Sequence, residues 1–463
     1  MSSFYPYADR FPVARGLLSE GRDPAAILSE LAEMAHEEDA TWENGKVSGS
    51  MYCGDHEHYE FMNEAYGLYG HMNALQRDVC PSATRFEGEI IAMGLDLMHA
   101  SAVTGTTPGG LVSSGGSGSI LHSMLSYREH GTKHRNIVGG NIIKPETAHP
   151  AFDKACHLLG IELRVVPVGE DTRVDPAEMA KRIDDKTLAL IGSAGNYGYG
   201  TIDPIDELST LALEHGIGLH VDGCLGGFIL PFGEMLGFPI PVFDFRHPGV
   251  TTISADTHKY GYGLKGTSLL LFRDITYRNS QYFFMSDWSG GKYCSPGIDG
   301  SRSSGLLAAT WAAMVKIGKQ GYLGYAQQIF DTSYAMQDAV RSHPELRILG
   351  TPSFLFAFTS DELDIYLVND ALKARGWRMN GLQYPDAIHM CVTRPQTQPG
   401  VVEAWERALD EAVQYAKDHA GEAAASGAIY GGVPGGVTPD VDEFIGAVMA
   451  DMMDHHQALP DPA

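Results

Sequence analysis

The chain has 463 residues, of which 44% are hydrophobic and 20% are charged, and its formal net charge at pH 7 is -25. This ordinary globular composition argues against disorder, and the length suffices for a large α/β domain with a smaller one. The excess of acid disfavours nucleic acid or an anionic membrane as a partner, because both need a basic surface.

The sequence also carries signals about its compartment. It has no run of about 18 apolar residues, so we expect no integral membrane segment. The first residues, MSSFYPYADRFPVARG, lack the basic and then apolar layout of a secretory signal. The six cysteines occur singly, without a C-x-x-C pair, as is typical of reduced and buried thiols. We therefore predict a cytoplasmic protein.

The first 65 residues form a predicted N-terminal segment with one helix, from Pro24 to Glu38, and a glycine-broken stretch after it. A second helix is predicted to begin at Pro81, where Ser82 is a residue type that caps helices, and to continue through EGEIIAMGLDLMHA. Two histidine pairs, His56/His58 and His455/His456, have no metal-binding pattern around them, so we interpret them as surface histidines and expect no metal.

From about Leu111 short apolar runs alternate with helix-like stretches such as AFDKACHLLG and IDELSTLALEHG. The runs are residues 136–139, 163–167, 188–193, 218–222, 251–255 and 268–272. Apolar strands that alternate with helices predict a large, mostly parallel sheet covered on both faces, in an α/β domain over 66–325. Ligands in such folds bind at the carboxyl ends of the strands.

The pattern changes near residue 325. A helix predicted from Tyr325 to Ser342 precedes two apolar runs, LRILGTPSFLFAFTSD and IHMCVTR, with a helical stretch between them. This arrangement predicts a smaller C-terminal α+β domain over 326–463. Its tail holds a Gly/Ala-rich piece, GEAAASGAIYGGVPGGV, and one more helix.

Lys259 is the strongest candidate for chemistry. It follows the apolar run at 251–255 in TTISADTHKYGYGLKG. A lysine at the end of a buried strand is held out of bulk water, and this lowers its pKa toward the neutral amine that attacks an aldehyde. A lysine on a solvated loop is an equally good interpretation of this residue alone.

Three further elements precede Lys259 in the chain. Asp222 ends the run GIGLHVD and could hold a proton on a pyridine nitrogen, although an isolated aspartate there is more often a helix cap. The loop Ser113–Ser117 leads into a predicted helix, where glycines and the helix dipole favour phosphate, although such loops are also common linkers. His149 lies just before a helix and could stack on a planar cofactor, but a structural loop histidine is the commoner case.

Taken together, the order phosphate loop, histidine, aspartate, lysine is that of aspartate-aminotransferase-type pyridoxal enzymes. The sequence resembles the group II decarboxylase-like enzymes and, within them, the sphingosine-1-phosphate lyase family. The resemblance covers nearly the whole chain, and the stretches that carry it include ISADTHKYG, LHVDGCLGGF, TAHPAFDKA, YGTIDPIDEL and DWSGGKYCSPGIDGSR. It implies pyridoxal-dependent fold type I with pyridoxal 5′-phosphate as the cofactor.

The resemblance also implies residue roles. Lys259 is expected to hold the cofactor as a Schiff base, with Asp222 on the pyridine nitrogen and His149 over the ring. The remaining cofactor contacts implied are Ser114, Gly115, Gly116, Ser117, Asn196, His258 and, from the second subunit of a homodimer with shared sites, Ser301.

For the substrate's own phosphate the resemblance implies Lys265 and Tyr52. Tyr197 and Tyr293 are expected to handle protons or bind the head group, and Tyr430 to lie at the edge of the site. The family usually has a histidine in N-P-L-H-P-D, whereas this chain has Gln76 in that position with Arg77 beside it. We therefore expect Gln76 and Arg77 at the substrate phosphate, with arginine replacing the missing donor.

The implied reaction is retro-aldol cleavage of a phosphorylated long-chain base, which gives a fatty aldehyde and phosphoethanolamine. The nearest alternative is a group II amino-acid decarboxylase, which needs a carboxylate clamp, and the pair Lys259/Lys265 argues against it. A third possibility, a silent scaffold that keeps only the fold, is disfavoured because Lys259, Asp222 and His149 are all present.

Overall fold

We describe residues 5–432 and 438–460 in a computed structural model. Three helices precede the first strand, α1 (Pro24–Asp39), α2 (His56–Tyr69) and α3 (Pro81–Leu97), and α2 crosses the boundary predicted at residue 65. The first and third agree with the prediction, but Ser82 does not cap α3, because Pro81 takes the first helical position and Cys80 is the capping residue. Sequence reasoning missed α2, whose N-terminus is capped by Asp55.

The predicted large sheet is present and has seven strands. They are β1 (Gly109–Ser113), β2 (Asn141–Pro145), β3 (Glu162–Val166), β4 (Thr187–Ser193), β5 (Gly218–Asp222), β6 (Thr252–Ala255) and β7 (Ser268–Phe272). Their order is β1-β7-β6-β5-β4-β2-β3. β7 runs opposite to the other six strands, so the sheet is mostly parallel, as predicted.

One predicted strand is wrong. Residues 136–139 form no strand, because α4 (Gly116–Arg135) ends there on Asn136, which adopts the left-handed conformation with φ 55°. The strand begins only at Asn141, after a glycine pair whose first member, Gly139, also has a positive φ.

Helices cover both faces of this sheet. The remaining ones are α5 (Ala151–Leu159), α6 (Pro176–Ala180), α7 (Ile205–His215), α8 (Leu230–Met235) and α9 (Ile275–Ser280). On β7 the hydroxyl of Ser268 lies 2.8 Å from that of Ser119 on α4, while Leu269 and Leu271 approach Gly94 on α3. Neighbouring strand residues point to opposite faces, so α3 and α4 sandwich the sheet.

A short hairpin, β8 (Phe283–Met285) and β9 (Tyr293–Ser295), precedes the long helix α10 (Ser304–Arg341). The backbone of α10 is non-helical at Gly318, where φ is 59° and ψ is 173°. The helix predicted from Tyr325 is therefore the second part of a longer element. The boundary predicted at 325/326 falls inside α10.

The C-terminal part has its own sheet, as the sequence predicted. It contains β10 (Arg347–Ile348), β11 (Leu355–Thr359), β12 (Asn380–Leu382) and β13 (Ala387–Cys391), all antiparallel in the order β10-β11-β13-β12. Its helices are α11 (Ile365–Ala374) and α12 (Val401–Asp418), followed by α13 (Ala425–Tyr430) and α14 (Pro439–His456). Part of the predicted Gly/Ala-rich piece, residues 433–437, lies outside the described residues.

Within the described ranges, no helix is both long enough and apolar enough to cross a membrane.

Candidate active site

One cavity lies at the carboxyl ends of β4, β5 and β6, where a parallel sheet is expected to bind its ligand. Its volume is about 380 Å³. The N-terminal segment contributes residues 48–50 and Tyr52 to its wall, and the small sheet contributes Asn380, His389 and Cys391. Three separate parts of the chain therefore meet around one cavity.

Lys259 lines this cavity, and its Nζ lies 3.0 Å from Oδ2 of Asp256. Besides its ion pairs with Lys259 and His258, the buried Asp256 carboxylate has no hydrogen-bond partner among the described residues. Burial alone would lower the pKa of Lys259, but the attraction of Asp256, with smaller contributions from Cys224 and Tyr52, raises this pKa above its usual value. The sequence-based expectation of a lowered pKa is therefore wrong for the chain by itself, because it overlooked Asp256.

Asp222 ends β5 and also lines the cavity. Its Oδ1 accepts hydrogen bonds from the Cys224 amide and the Ser254 hydroxyl, each at 3.0 Å, whereas Oδ2 has no hydrogen-bond partner among the described residues. Burial opposes its ionisation, but His220, then the thiol and the amide of Cys224, hold the pKa of Asp222 below its usual value. One oxygen of a fixed carboxylate is thus available to a donor in the cavity.

The loop Ser114–Ser117 reaches the cavity at the N-terminus of α4, and Gly116 and Ser117 line the wall. Gly115 has a φ of 145°, and a Cβ on Gly116 would lie 2.7 Å from Asp256 Oδ2. Both positions therefore require glycine. Free amide groups at a helix N-terminus attract an anion, and this matches the predicted phosphate loop.

The hydrogen bonds of two predicted histidines fix their tautomers. His149 Nδ1 accepts the Ala151 amide at 3.1 Å, so its proton is on Nε2. His258 Nδ1 lies 2.6 Å from the carbonyl oxygen of Thr267, so Nδ1 carries a proton and Nε2 lies on the side of Asp256, at 3.8 Å from Oδ2. Both histidines line the cavity.

Tyr197 and Asn196 follow β4 at the same edge of the sheet. The Tyr197 ring lies edge-on to His149, with centroids 6.4 Å apart, and lines the cavity. Asn196 is buried behind it, where Oδ1 accepts the Tyr199 amide and Nδ2 has no partner among the described residues.

Lys265 and Tyr52 form a second polar corner of the cavity. Lys265 Nζ lies 4.8 Å from the centroid of the Tyr52 ring and donates to the Ser50 carbonyl at 3.2 Å. Burial, and then repulsion by Lys259, lower the pKa of Lys265. Tyr52 is packed edge-on against Tyr260, and its burial raises its pKa, so it remains a hydroxyl donor. Tyr430 packs against Gly381, next to the lining residue Asn380.

Seven residues of the predicted site do not line this cavity in the single chain. Ser114, Gly115 and Asn196 are chain neighbours of lining residues, whereas Gln76, Arg77, Tyr293 and Ser301 belong to other segments. Arg77 forms an ion pair with Glu87 and lines a separate cavity of about 360 Å³. Glu87 also pairs with Arg302, so a single carboxylate is shared between two guanidinium groups. The expectation that Arg77 replaces a missing phosphate donor stays a prediction. Tyr293 lies on the partly exposed hairpin.

Ser301 and the segment of Gln76 are held together. The Asn73 side-chain amide donates to Ser301 Oγ at 2.9 Å, and Asn73 forms a backbone bridge to Ser303. Ser301 and the loop that contains Gln76 therefore lie on the same surface of the chain.

The histidines interpreted as surface residues are not all exposed. His58 is buried, and its Nε2 hydrogen-bonds to the Tyr262 carbonyl at 2.8 Å, because α2 packs against α10 and the loop after Lys259. His56 pairs with Glu43 at 2.7 Å, near Asp39, in a largely exposed cluster. His455 and His456 are exposed on α14, as expected.

The residues present fit pyridoxal phosphate. The cavity offers a primary amine on Lys259, a carboxylate oxygen of Asp222 without a partner, and a glycine-bounded helix N-terminus for a phosphate. Lys259 would hold the cofactor covalently, and the Ser114–Ser117 loop with His258 would hold its phosphate.

Sequence reasoning missed Asp256 and His389, which both line the cavity. Asp256 had a usable signal, because it stands three residues before Lys259 at the same strand end. His389 is a polar residue within the buried strand β13, and such a residue needs a partner. No sequence pattern indicates a role for Ser48 and Ser50, since only the tertiary fold brings that segment to the site.

Comparison with known proteins places this geometry in a family. The model of the pyridoxal-dependent decarboxylase conserved domain matches residues 27–354. A sphingosine-1-phosphate lyase from Dictyostelium discoideum is 42% identical over 372 residues, which cover 79% of this chain and 68% of that protein.

Solved structures agree. A Burkholderia pseudomallei sphingosine-1-phosphate lyase is 51% identical, has a TM-score of 0.92, and is matched over 99% of this chain and 100% of its own. A Lactobacillus brevis glutamate decarboxylase is 19% identical with a TM-score of 0.75, over 90% of this chain and 98% of its own. The second likeness shows the fold alone.

Proposed function

The chain belongs to the pyridoxal-dependent decarboxylase family and, within it, to the sphingosine-1-phosphate lyases, and we propose that it cleaves a phosphorylated long-chain base. The products are a long-chain aldehyde and phosphoethanolamine. The observation that carries this proposal is the placement of two lysines in one cavity, Lys259 beside Asp256 and Lys265 beside Tyr52. The second lysine gives the cavity a cation beyond the one that the cofactor needs.

Pyridoxal phosphate, when bound through Lys259, accepts the electron pair that is released at Cα of a substrate amine. Asp222 serves this chemistry by accepting a hydrogen bond from the ring nitrogen through its free Oδ2, which keeps that nitrogen protonated. The tautomer of His149 leaves an N–H on Nε2 as a donor in the cavity. Tyr197, packed edge-on to His149, limits how far that ring can tilt.

Lys265 and Tyr52 bind the substrate's phosphate. A dianion is held best by a fixed cation together with hydroxyl donors in a site with little water. The lowered pKa of Lys265 reflects burial and the nearby cation Lys259, and attraction to a dianion in the cavity opposes both effects. Binding of the substrate's phosphate thus stabilises the charged form of Lys265.

The active unit is a homodimer in which each chain completes the other's site. Ser301 and Gln76 belong to one connected surface that lies outside their own chain's cavity. Next to it the hairpin exposes Phe283, Phe284 and Trp288, and large apolar side chains together on a surface favour association. Ser301 then contacts the partner's cofactor phosphate, and Gln76 contacts the partner's substrate.

The amino-acid decarboxylase alternative receives less support. Such an enzyme needs a cation that clamps a carboxylate, and arginine suits that role best. Among the described residues that line the cavity there is no arginine. Arg394 in the small domain donates to the Cys53 sulfur and lies over the Tyr325 ring instead.

The chain acts in the cytoplasm. All six cysteines are free thiols, and five of them are buried, which suits a reducing compartment. The experiment that tests the function is a product assay for aldehyde and phosphoethanolamine with a phosphorylated long-chain base. Parallel reactions with the unphosphorylated base and with common amino acids separate the lyase from a decarboxylase, which would release carbon dioxide.

A further inference from the structure

His389 is a buried residue of β13 that the roles assigned so far do not use. Its ring stacks on Tyr197, with centroids 4.8 Å apart and planes 25° from parallel. Its Nδ1 lies 3.1 Å from the carbonyl oxygen of Gly198, in the loop after β4. A carbonyl oxygen can only accept, so Nδ1 carries the proton and Nε2 bears a lone pair.

That lone pair is available to a ligand. Within residues 5–432 and 438–460, nothing donates a hydrogen bond to Nε2, and His389 lines the cavity. Burial lowers the pKa of His389 to about 4, so its ring is neutral near pH 7. His149 is the opposite tautomer and presents a donor, while burial raises the pKa values of Tyr52 and Tyr197 and keeps both as hydroxyls.

We infer that Nε2 of His389 accepts the hydroxyl proton of the substrate and is the base of the cleavage step. The inference rests on the proposed function and assigns one catalytic residue within it. The hydroxyl proton passes to Nε2, and the electrons of the O–H bond form the C=O bond of the aldehyde. The Cα–Cβ bond breaks with its electron pair left on Cα, and a proton returned to Cα, with Nε2 giving up the one it took, completes phosphoethanolamine.

A neutral imidazole in a dry site is a weak base until charge enters the site. The substrate's phosphate brings negative charge into the same cavity, which raises the ring's basicity toward the working pH. The hydrogen bond from Nδ1 to the Gly198 carbonyl fixes the orientation of the His389 ring. A hydrogen bond to one ring nitrogen orients catalytic histidines in the same way and leaves the other nitrogen for the reaction. The stacked Tyr197 restrains the same ring from its face.

Two substitutions separate the role of His389 Nε2 as a base from the hydrogen bond that Nδ1 makes to Gly198. In His389→Asn the side-chain amide can still donate to the Gly198 carbonyl, but nothing replaces Nε2. His389→Ala removes both the donor to Gly198 and Nε2, and it leaves space for free imidazole. We expect kcat of His389→Asn to fall about 100-fold or more, the scale of a lost general base, with KM little changed. Added imidazole should restore part of the kcat of His389→Ala.

A binding measurement accompanies the kinetics. Calorimetry on the holoenzyme with a phosphorylated long-chain amine that lacks the hydroxyl should give the same affinity for wild type and His389→Asn. Should His389→Asn fail to fold, His389→Gln replaces it in both measurements. The inference is overturned if the folded variant keeps kcat within about tenfold of wild type, or if affinity for the hydroxyl-free amine falls in parallel with kcat. Absence of aldehyde release by the wild type itself overturns the proposed function, and this inference with it.

Discussion

Oδ2 of Asp256 lies 3.0 Å from Nζ of Lys259 in the segment that follows β6, where Asp256 is buried and Lys259 is partly buried. The lysine that must attack an aldehyde is therefore held as an ammonium ion in the chain without cofactor, against the tendency of burial to discharge it. Attachment of the cofactor requires this ammonium to lose a proton. The ion pair thus sets the pH at which the enzyme can be loaded.

Asp256→Asn should shift the pH dependence of cofactor attachment to lower pH by roughly 1–3 units, the effect of removing an opposite charge at this distance. The shift is toward lower pH because the neutral amine is the form that attacks the aldehyde, and a lower pKa of Lys259 makes the neutral amine available at lower pH. The measurement is the rate of appearance of the bound-cofactor absorbance in apoprotein between pH 6 and about 10. An unchanged pH midpoint would show that Asp256 does not control Lys259.

Lys259→Ala should abolish covalent attachment of the cofactor together with turnover, while the protein still folds. Lys265→Ala is the matched control, because it removes a lysine from the same cavity and should leave attachment intact. Borohydride reduction followed by intact-mass measurement detects the covalent bond directly. Retention of the cofactor mass in Lys259→Ala would mean that another residue is the attachment point.

Asp222→Asn should leave the cofactor bound but reduce kcat by orders of magnitude. The amide is nearly isosteric, so the contacts of Oδ1 with Cys224 and Ser254 can persist, but the negative charge that keeps the ring nitrogen protonated is lost. Steady-state kinetics beside a cofactor titration separate the two effects. Turnover close to wild type would rule out this role.

Shared sites can be tested by mixing two inactive chains. Lys259→Ala lacks the attachment point, and Ser301→Asp sets a carboxylate against the partner's cofactor phosphate, so each homodimer should be inactive. A mixed dimer contains one site with both residues intact, and mixing after gentle dissociation should restore part of the wild-type activity. If activity does not return although mixed dimers form, each chain works with its own Ser301.

Much of the fold and site could be predicted from the sequence. Residues 218–222 and 268–272 are strands with the predicted bounds, because buried strands are continuous apolar runs. Lys259, Asp222 and His149 meet in one cavity because each follows a strand end at the same edge of the sheet.

The remaining features depend on contacts that no local pattern encodes. The raised pKa of Lys259 comes from the packing of Asp256, and the position of His389 comes from the docking of β13 on the loop at Gly198. The ion pair of Arg77 with Glu87 is a further example, because Arg77 lies in the turn before α3 and Glu87 lies on α3. Their spacing in the sequence does not indicate this contact.

The most direct test of the account is the ratio of kcat/KM for the phosphorylated and unphosphorylated long-chain base, measured in wild type and in Lys265→Ala. A charge-assisted contact to phosphate contributes about 1.5–3 kcal/mol, so Lys265→Ala should lose roughly tenfold to hundredfold of its kcat/KM for the phosphorylated base alone. Attachment of the cofactor should be unaffected. An unchanged ratio in Lys265→Ala, or a wild type that releases no aldehyde from the phosphorylated base, would contradict the account.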